Sequence, residues 1–289
     1  MGKSFTIDNP MPPLWLMYPH ITRYSIGWRM GYGESYKYTF NNWIETLSED
    51  ERQQYQAMFP KPKTWRSFLS DANDDDLEYE SYVHDSGIIF WNKNGEPKYS
   101  KDWLINQSSD EEFVFFWQPG DVEYEPECCF GQWQYSEFTE NAYGFTCTEQ
   151  YMMAAKAQVF EDEEIEEAIM KTSDLKQMKS LGRKVKNFDE KTWDKVKHSI
   201  VLKGNYYKFT QDKKMMDILL ATGNKILVEA SPLDTIWGIG YSKSNPAATN
   251  AKSWRGLNLL GFALMEVRDE IKTVYQNYDK VDWSQFQDL

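Results

Sequence analysis

Apolar and polar positions alternate differently in the two parts of the chain. Over residues 40–55 apolar side chains recur at helical spacing, and Ser48 stands as a cap between two short helices. Residues 86–95 read as a strand entering an Asn-Gly turn, and residues 111–117 as a second strand. Residues 1–127 therefore predict an α+β region. Beyond them the pattern turns helical. Residues 148–160 have few breakers and begin at a Thr cap, and residues 161–170 open on an acidic turn that suits the positive end of a helix dipole. Residues 174–181 form a short helix stopped by Gly182. In 191–203 the stripe Trp193, Val196, Ile200 and Val201 predicts another helix. Residues 211–221, ended by Gly223, and residues 257–275 complete the set, and only 225–230 reads as a strand. Residues 128–289 thus predict a mainly α, multihelical domain with a few short strands.

Composition narrows the classes. The chain of 289 residues is 41% hydrophobic and 16% aromatic, enough to bury a sizeable core. Seven of the twelve Trp lie in residues 1–127 and read as core rather than as stacking platforms. No stretch approaches the roughly 20 apolar residues of a membrane span, and the start, MGKSFTIDNP, has no apolar signal core. A cytoplasmic protein without a membrane partner is expected. The three cysteines, Cys128, Cys129 and Cys147, are too few for a disulfide scaffold. The vicinal pair reads as small buried hydrophobes. His20, His84 and His198 are scattered and give no metal-ligand spacing.

Charge modifies this picture. Thirty-two basic and 45 acidic residues leave a net of −13, which argues against a simple polyelectrolyte DNA binder. The excess is local: residues 1–129 carry −11 (11 basic, 22 acidic), residues 130–289 only −2 (21 and 23), and the segment 171–225 carries +8 (14 and 6). The acidic run 71–78 reads as a solvated loop. A second acidic, proline-bearing run, 118–127, predicts the boundary between an N-terminal region (1–127) and a second domain (128–289).

Candidate chemistry lies in the second part. On a helix Glu149 and Lys156 share a face roughly 10 Å apart along the axis, too far for an ordinary ion pair but suited to two groups gripping one ligand. A solvated pair on an amphipathic helix would show the same spacing. The stretch Asp234-Thr-Ile-Trp237-Gly238-Ile-Gly240 joins an acid for sugar hydroxyls, an indole for a flat base and two glycines that admit a close backbone. A tight turn around a core Trp reads the same way. Arg183 at a helix stop suits phosphate, and Trp193 suits either a ligand wall or core packing. Residues 256–261, with Asn258, open the last helix, either as an anion site or as a close helix contact through Gly261. No Walker loop, Rossmann fingerprint, nucleophile elbow, zincin or deaminase signature is present.

In order, Glu149-Gln-Tyr-Met-Met-Ala-Ala-Lys156, Leu181-Gly-Arg183, Trp193, Lys208-Phe209, Leu219-Leu-Ala-Thr-Gly223, Leu227-Val-Glu-Ala, Asp234-x-x-Trp237-Gly-x-Gly240, Gly256-x-Asn258-x-Leu-Gly261 and Leu264-Met-x-x-Arg268 resemble the NADAR family of YbiA-like N-glycosidases. The resemblance covers about residues 128–272. It departs at Phe130-Gly-Gln132-Trp133, where Gln132 stands for the family's asparagine, and at Gln150, where the family usually has histidine. The resemblance implies hydrolysis of N-glycosidic bonds without metal or cofactor. It implies Glu149, Lys156 and Asp234 as catalytic residues. Gln132, Arg183, Trp193, Trp237, Gly238, Gly240 and Asn258 would bind substrate. Glu149 would stabilise an oxocarbenium-like ribose or activate water. Lys156 would protonate the leaving base or attack C1 as an amine. The implied substrate is ADP-ribosylated guanine in DNA or RNA, reversing a toxin ADP-ribosyltransferase in the manner of an antitoxin. Riboflavin-pathway intermediates form the alternative, and a silent ADP-ribose- or NAD-binding module is a third reading.

Overall fold

A computed structural model describes residues 5–66, 81–107 and 111–286. The acidic run 71–78 lies outside these residues. In chain order the elements are α1 (Leu14–Met17), α2 (Gly31–Thr46), α3 (Glu49–Met58), α4 (Lys101–Ile105), β1 (Phe113–Phe116), β2 (Phe138–Glu140), β3 (Tyr143–Phe145), α5 (Thr148–Val159), α6 (Glu163–Lys171), α7 (Leu175–Gly182), α8 (Glu190–Gln211), α9 (Lys213–Ala221), β4 (Ile226–Glu229) and α10 (Leu259–Val274). The class is the expected one, mainly α with small sheets. Among the described residues β1 pairs with β4 in parallel, Phe113 opposite Ile226, and β2 pairs with β3 across a two-residue turn.

The chain divides into two compact units. One comprises Met1–Asn73, Thr139–Tyr143 and Asp269–Leu289, the other Asp74–Phe138 and Gly144–Arg268. The division therefore differs from the 127/128 boundary expected from composition. Residues 81–107 and 111–127 belong to the second unit. The β1 strand holds the edge of β4, the Trp91 N–H donates to Ser199 Oγ at 3.0 Å, and Glu266 accepts from Asn92 and Lys98 at 2.7 and 2.9 Å. Composition has no access to pairings so distant along the chain.

In the first unit, Ser48 and Glu51 form the capping box that separates α2 from α3, as the Ser48 signal predicts. Its core is aromatic, with Trp28, Tyr36, Trp43, Tyr55, Phe59 and Trp65 buried around the two helices. The strand expected over 86–95, in the second unit, reduces to an isolated bridge between Val83 and Ile89. A turn follows in which Asn94 adopts φ 56°.

The second unit is built around α5, which packs against α6, α7 and α8. Small residues set these approaches. A Cβ on Gly182 would stand 2.0 Å from Met153 Sδ, and one on Gly204 2.6 Å from the Tyr151 ring. The cap of α5 is Cys147, whose Sγ accepts from the Gln150 N–H at 3.5 Å, so Thr148 is already inside the helix. The helix α7 continues through Gly182 and ends at Arg183, and α8 runs on to Gln211 because most of its last three turns is buried. The start of α10 lies against β4 so closely that a Cβ on Gly261 would meet Leu227 O at 2.0 Å. Among the described residues no helix is long and apolar enough to cross a membrane.

Candidate active site

A cleft of about 660 Å³ opens in the second unit. Its walls come from the stretch after β1 (Trp117), the loop before β2 (Gln132, Trp133), α5 (Glu149, Met152, Met153, Lys156), α7 (Lys179, Arg183) and the end of β4 with the loop after it (Glu229, Asp234, Trp237). Its size suits a nucleotide-sized ligand.

Glu149 lies at the first turn of α5 and is 4% exposed. Its backbone N–H donates to Gln132 O at 3.0 Å, which joins the helix start to the loop before β2. Burial pushes its carboxyl up; the Lys179 ammonium, a hydrogen bond from the Trp133 indole and the Arg183 guanidinium oppose that, while Asp234 adds to it. Lys156, two turns along the same face, also reaches the cleft. Its Nζ donates to Gly182 O at 2.9 Å and sits 4.0 Å over the Phe188 ring and 5.5 Å from that of Trp193. Partial burial pulls its ammonium below the usual lysine range.

The loop after β4 is held by its own acid. Asp234 Oδ1 accepts from the Ile236 and Trp237 N–H groups at 2.9 and 2.8 Å, so any sugar contact falls to the other oxygen. Lys179 and Arg183 stand one turn apart at the end of α7, and Lys179 lies 5.6 Å from the Trp133 ring centre. Gln132 lines the cleft but is only 7% exposed, and its Oε1 is buried without a hydrogen-bond partner.

The structure thus brings Glu149, Lys156, Asp234, Gln132, Arg183 and Trp237 to one cleft. It places the other candidates elsewhere. Trp193 packs with Ala157, Phe160 and Val185, behind Lys156 rather than on the cleft wall. Gly238 and Gly240 are buried and act on the backbone. A Cβ on Gly238 would stand 2.9 Å from Glu229 O, and Gly240 has φ 72°. Asn258 is fully buried, donating to Leu227 O at 2.9 Å and accepting from the Glu229 N–H at 3.0 Å. It therefore positions β4 instead of offering its amide to a ligand. Gln150 is likewise consumed internally, by Thr146, Ile169 and Thr172, and lies off the cleft.

Four cleft residues escaped the sequence reading. Trp133 and Lys179 carry no local signal, because a hydrogen bond to Glu149 and a cation beside it exist only once three elements meet. Trp117 reads as core in the sequence yet is 39% exposed on the cleft wall. The fourth, Glu229, sits inside the Leu227-Val-Glu-Ala run, where strand periodicity hides it. Its carboxyl is pushed up to about 8 by burial and by the neighbouring Asp234 and Glu149, with Lys179 opposing weakly. Its Oε2 is covered and has no partner. Behind this shell Lys208, fully buried, donates to Gly131 O at 3.1 Å and so ties α8 to the loop that carries Gln132 and Trp133. Among the described residues no group of three or more His, Cys, Asp or Glu is arranged to hold a metal ion.

Known proteins share this arrangement of sequence. The NADAR domain profile matches residues 115–272. The chain is 44% identical over 146 residues to "N-glycosidase R617" of Acanthamoeba polyphaga mimivirus, covering 49% of this chain and 86% of that protein. It is 34% identical over 185 residues to "Protein irg-1" of Caenorhabditis elegans, covering 58% and 84%. A solved structure, that of the Escherichia coli protein YbiA, is 26% identical, with a TM-score of 0.45 over 56% of this chain and 85% of YbiA. Because the profile spans more than half of its residues, the protein belongs to the NADAR family.

Proposed function

We propose that the protein hydrolyses the N-glycosidic bond between a phosphorylated ribose and a base, and that its substrate is ADP-ribose attached to guanine in DNA or RNA. The N-glycosidase names of relatives support the glycosidase role. The observation that carries the reading is the buried Glu149 carboxylate, held by the Trp133 indole beside two cations at the base of the cleft. Breaking a C1′–N bond builds positive charge on the ribose. A desolvated, positioned carboxylate stabilises that charge far better than one in water and can accept the proton of the attacking water. Lys179 and Arg183 offer adjacent donors for a diphosphate. Trp117, Trp133 and Trp237 give flat faces for a base or sugar, and the free oxygen of Asp234 is left for ribose hydroxyls. The guanine specificity rests on the family resemblance and on the +8 segment 171–225, which contains α7 with both cations.

The test is incubation with a guanine-ADP-ribosylated oligonucleotide, following release of ADP-ribose by chromatography. Wild type is expected to release it. Glu149→Gln should lose at least about 100-fold in turnover while still binding ADP-ribose. No release from modified DNA or RNA would overturn the reading. Turnover confined to riboflavin-pathway ribosides would select the alternative substrate, and binding without turnover would select a silent module. Borohydride added during turnover separates the two roles of Lys156, since only an amine attached to C1′ is trapped.

A further inference from the structure

We propose that Glu229 is the general acid of this cleft: its carboxyl delivers the proton that the departing base nitrogen takes up as the C1′–N bond breaks. The proposal rests on the glycosidase reading above. It starts from how the residue is held. The Glu229 N–H donates to Asn258 Oδ1 at 3.0 Å, and its carbonyl accepts from the Ile239 N–H at 3.0 Å. Asn258 adopts φ 55° and is fully buried, and Gly238 packs so closely on the Glu229 carbonyl that a side chain there would clash. The backbone of this one residue is thus fixed from both sides. Its side chain is free of protein partners: it lines the cleft, and Oε2 is covered without accepting or donating any hydrogen bond.

A buried carboxylate without a donor is costly, whereas a buried carboxylic acid is cheap and keeps a proton to give. The charged groups facing it decide which form it takes. Glu149 on α5 and Asp234 on the loop after β4 repel its anion, and Lys179 on α7 opposes them. Glu149 is treated differently, for it receives the Trp133 hydrogen bond and the fields of both Lys179 and Arg183. Burial raises both acids, but only Glu149 has a hydrogen-bond donor and two cations set against that rise, so Glu229 is the one of the pair placed to hold a proton and Glu149 the one placed to accept one. The other proton source, Lys156, already donates to Gly182 O and faces the Phe188 ring.

The step balances. The C1′–N electron pair goes to nitrogen, which takes the Glu229 proton. Water adds to C1′ and gives its proton to Glu149. Exchange with solvent then returns a proton to Glu229 and removes one from Glu149. The products are a ribose with a C1′ hydroxyl and a base with an N–H.

Wild type and Glu229→Gln are compared on the ADP-ribosylated oligonucleotide between pH 5.5 and 9.5. Wild-type kcat should fall about tenfold per pH unit above the ionisation of Glu229. At pH 7 the variant should lose about 100- to 10,000-fold in kcat, keep KM within about threefold and show no alkaline limb, while Glu229→Asp recovers part of the loss. ADP-ribose binding by the variant shows that it folds. A variant within about threefold of wild type in kcat, or one that retains the alkaline limb, would overturn the proposal. A readout without turnover separates this from failure of the glycosidase reading. In infrared spectra of the full chain at pH 7, a protonated carboxyl band should be present in wild type and lost in Glu229→Gln, and its absence from wild type also overturns the proposal.

Discussion

Replacing Glu229 by Gln should make the protein more stable at neutral and alkaline pH, and the size of the effect follows from the cleft. The carboxyl is raised from its ordinary 4.5 to about 8, first by burial and then by Asp234 and Glu149. Between those two values the unfolded chain has released this proton and the folded chain has not, so the folded state binds more protons and stability falls as pH rises. At about 1.4 kcal/mol per pH unit the loss amounts to roughly 5 kcal/mol, complete by about pH 8. It is fully absent below pH 4.5. Gln fills the same space, cannot ionise and carries no such slope. The assay is urea denaturation of both proteins at half-unit intervals from pH 5 to 9. The two stabilities should nearly coincide at pH 5, and the variant should gain about 1.4 kcal/mol for each unit up to pH 8, with no further gain above it. A difference between the two proteins that does not change with pH would refute the reasoning, because it would mean that Glu229 ionises in the folded state as it does in the unfolded one. Stability gained together with activity lost would mark Glu229 as a residue kept for its chemistry.

Three further outcomes test the frame around the cleft. Asn258→Ala removes the acceptor of the Glu229 N–H and the donor to Leu227 O and places Ala at φ 55°; a loss of about 2–5 kcal/mol in urea denaturation is expected. Gly261→Ala would put a methyl 2.0 Å from Leu227 O, so α10 would have to leave β4, and the soluble yield and melting temperature should both collapse. Lys208 is pulled from its ordinary 10.5 to about 8 by burial, so its unfolded form binds the extra proton and wild-type stability should rise by roughly 3 kcal/mol between pH 8 and 10.5; Lys208→Met should lack that rise while slowing turnover through the freed Gly131 loop.

Most of the helical content was legible because it depends on signals within a few residues. Ser48 and Glu51 cap α3 from three positions apart, and the apolar stripe of α8 is complete by Val201. The cleft-facing side of α5 was equally local, since Glu149 and Lys156 share a face by helical geometry alone. What composition misplaced was the division of the chain. The acidic run at 118–127 marks a change of charge, yet β1 just before it belongs beside β4. The glycines and Asn258 were assigned to ligand contact because permissive backbone and amide groups serve ligands and folds alike, and only the partner atoms distinguish the two uses.

Local order along this chain was therefore settled by its residues: helix positions, the order of the family motifs and the pairing of an acid with a lysine across two turns of α5. Ionisation in the cleft was settled by assembly. Glu149 and Glu229 are chemically the same side chain, and no neighbour in sequence separates them. One meets an indole N–H and two cations where α5, α7 and the loop before β2 converge, and the other meets two carboxyl groups at the end of β4, with Oε2 buried and unbonded. Desolvation and Coulomb energy depend on distance through the folded protein rather than along the chain. The different environments of the two acids are for that reason properties of the tertiary structure.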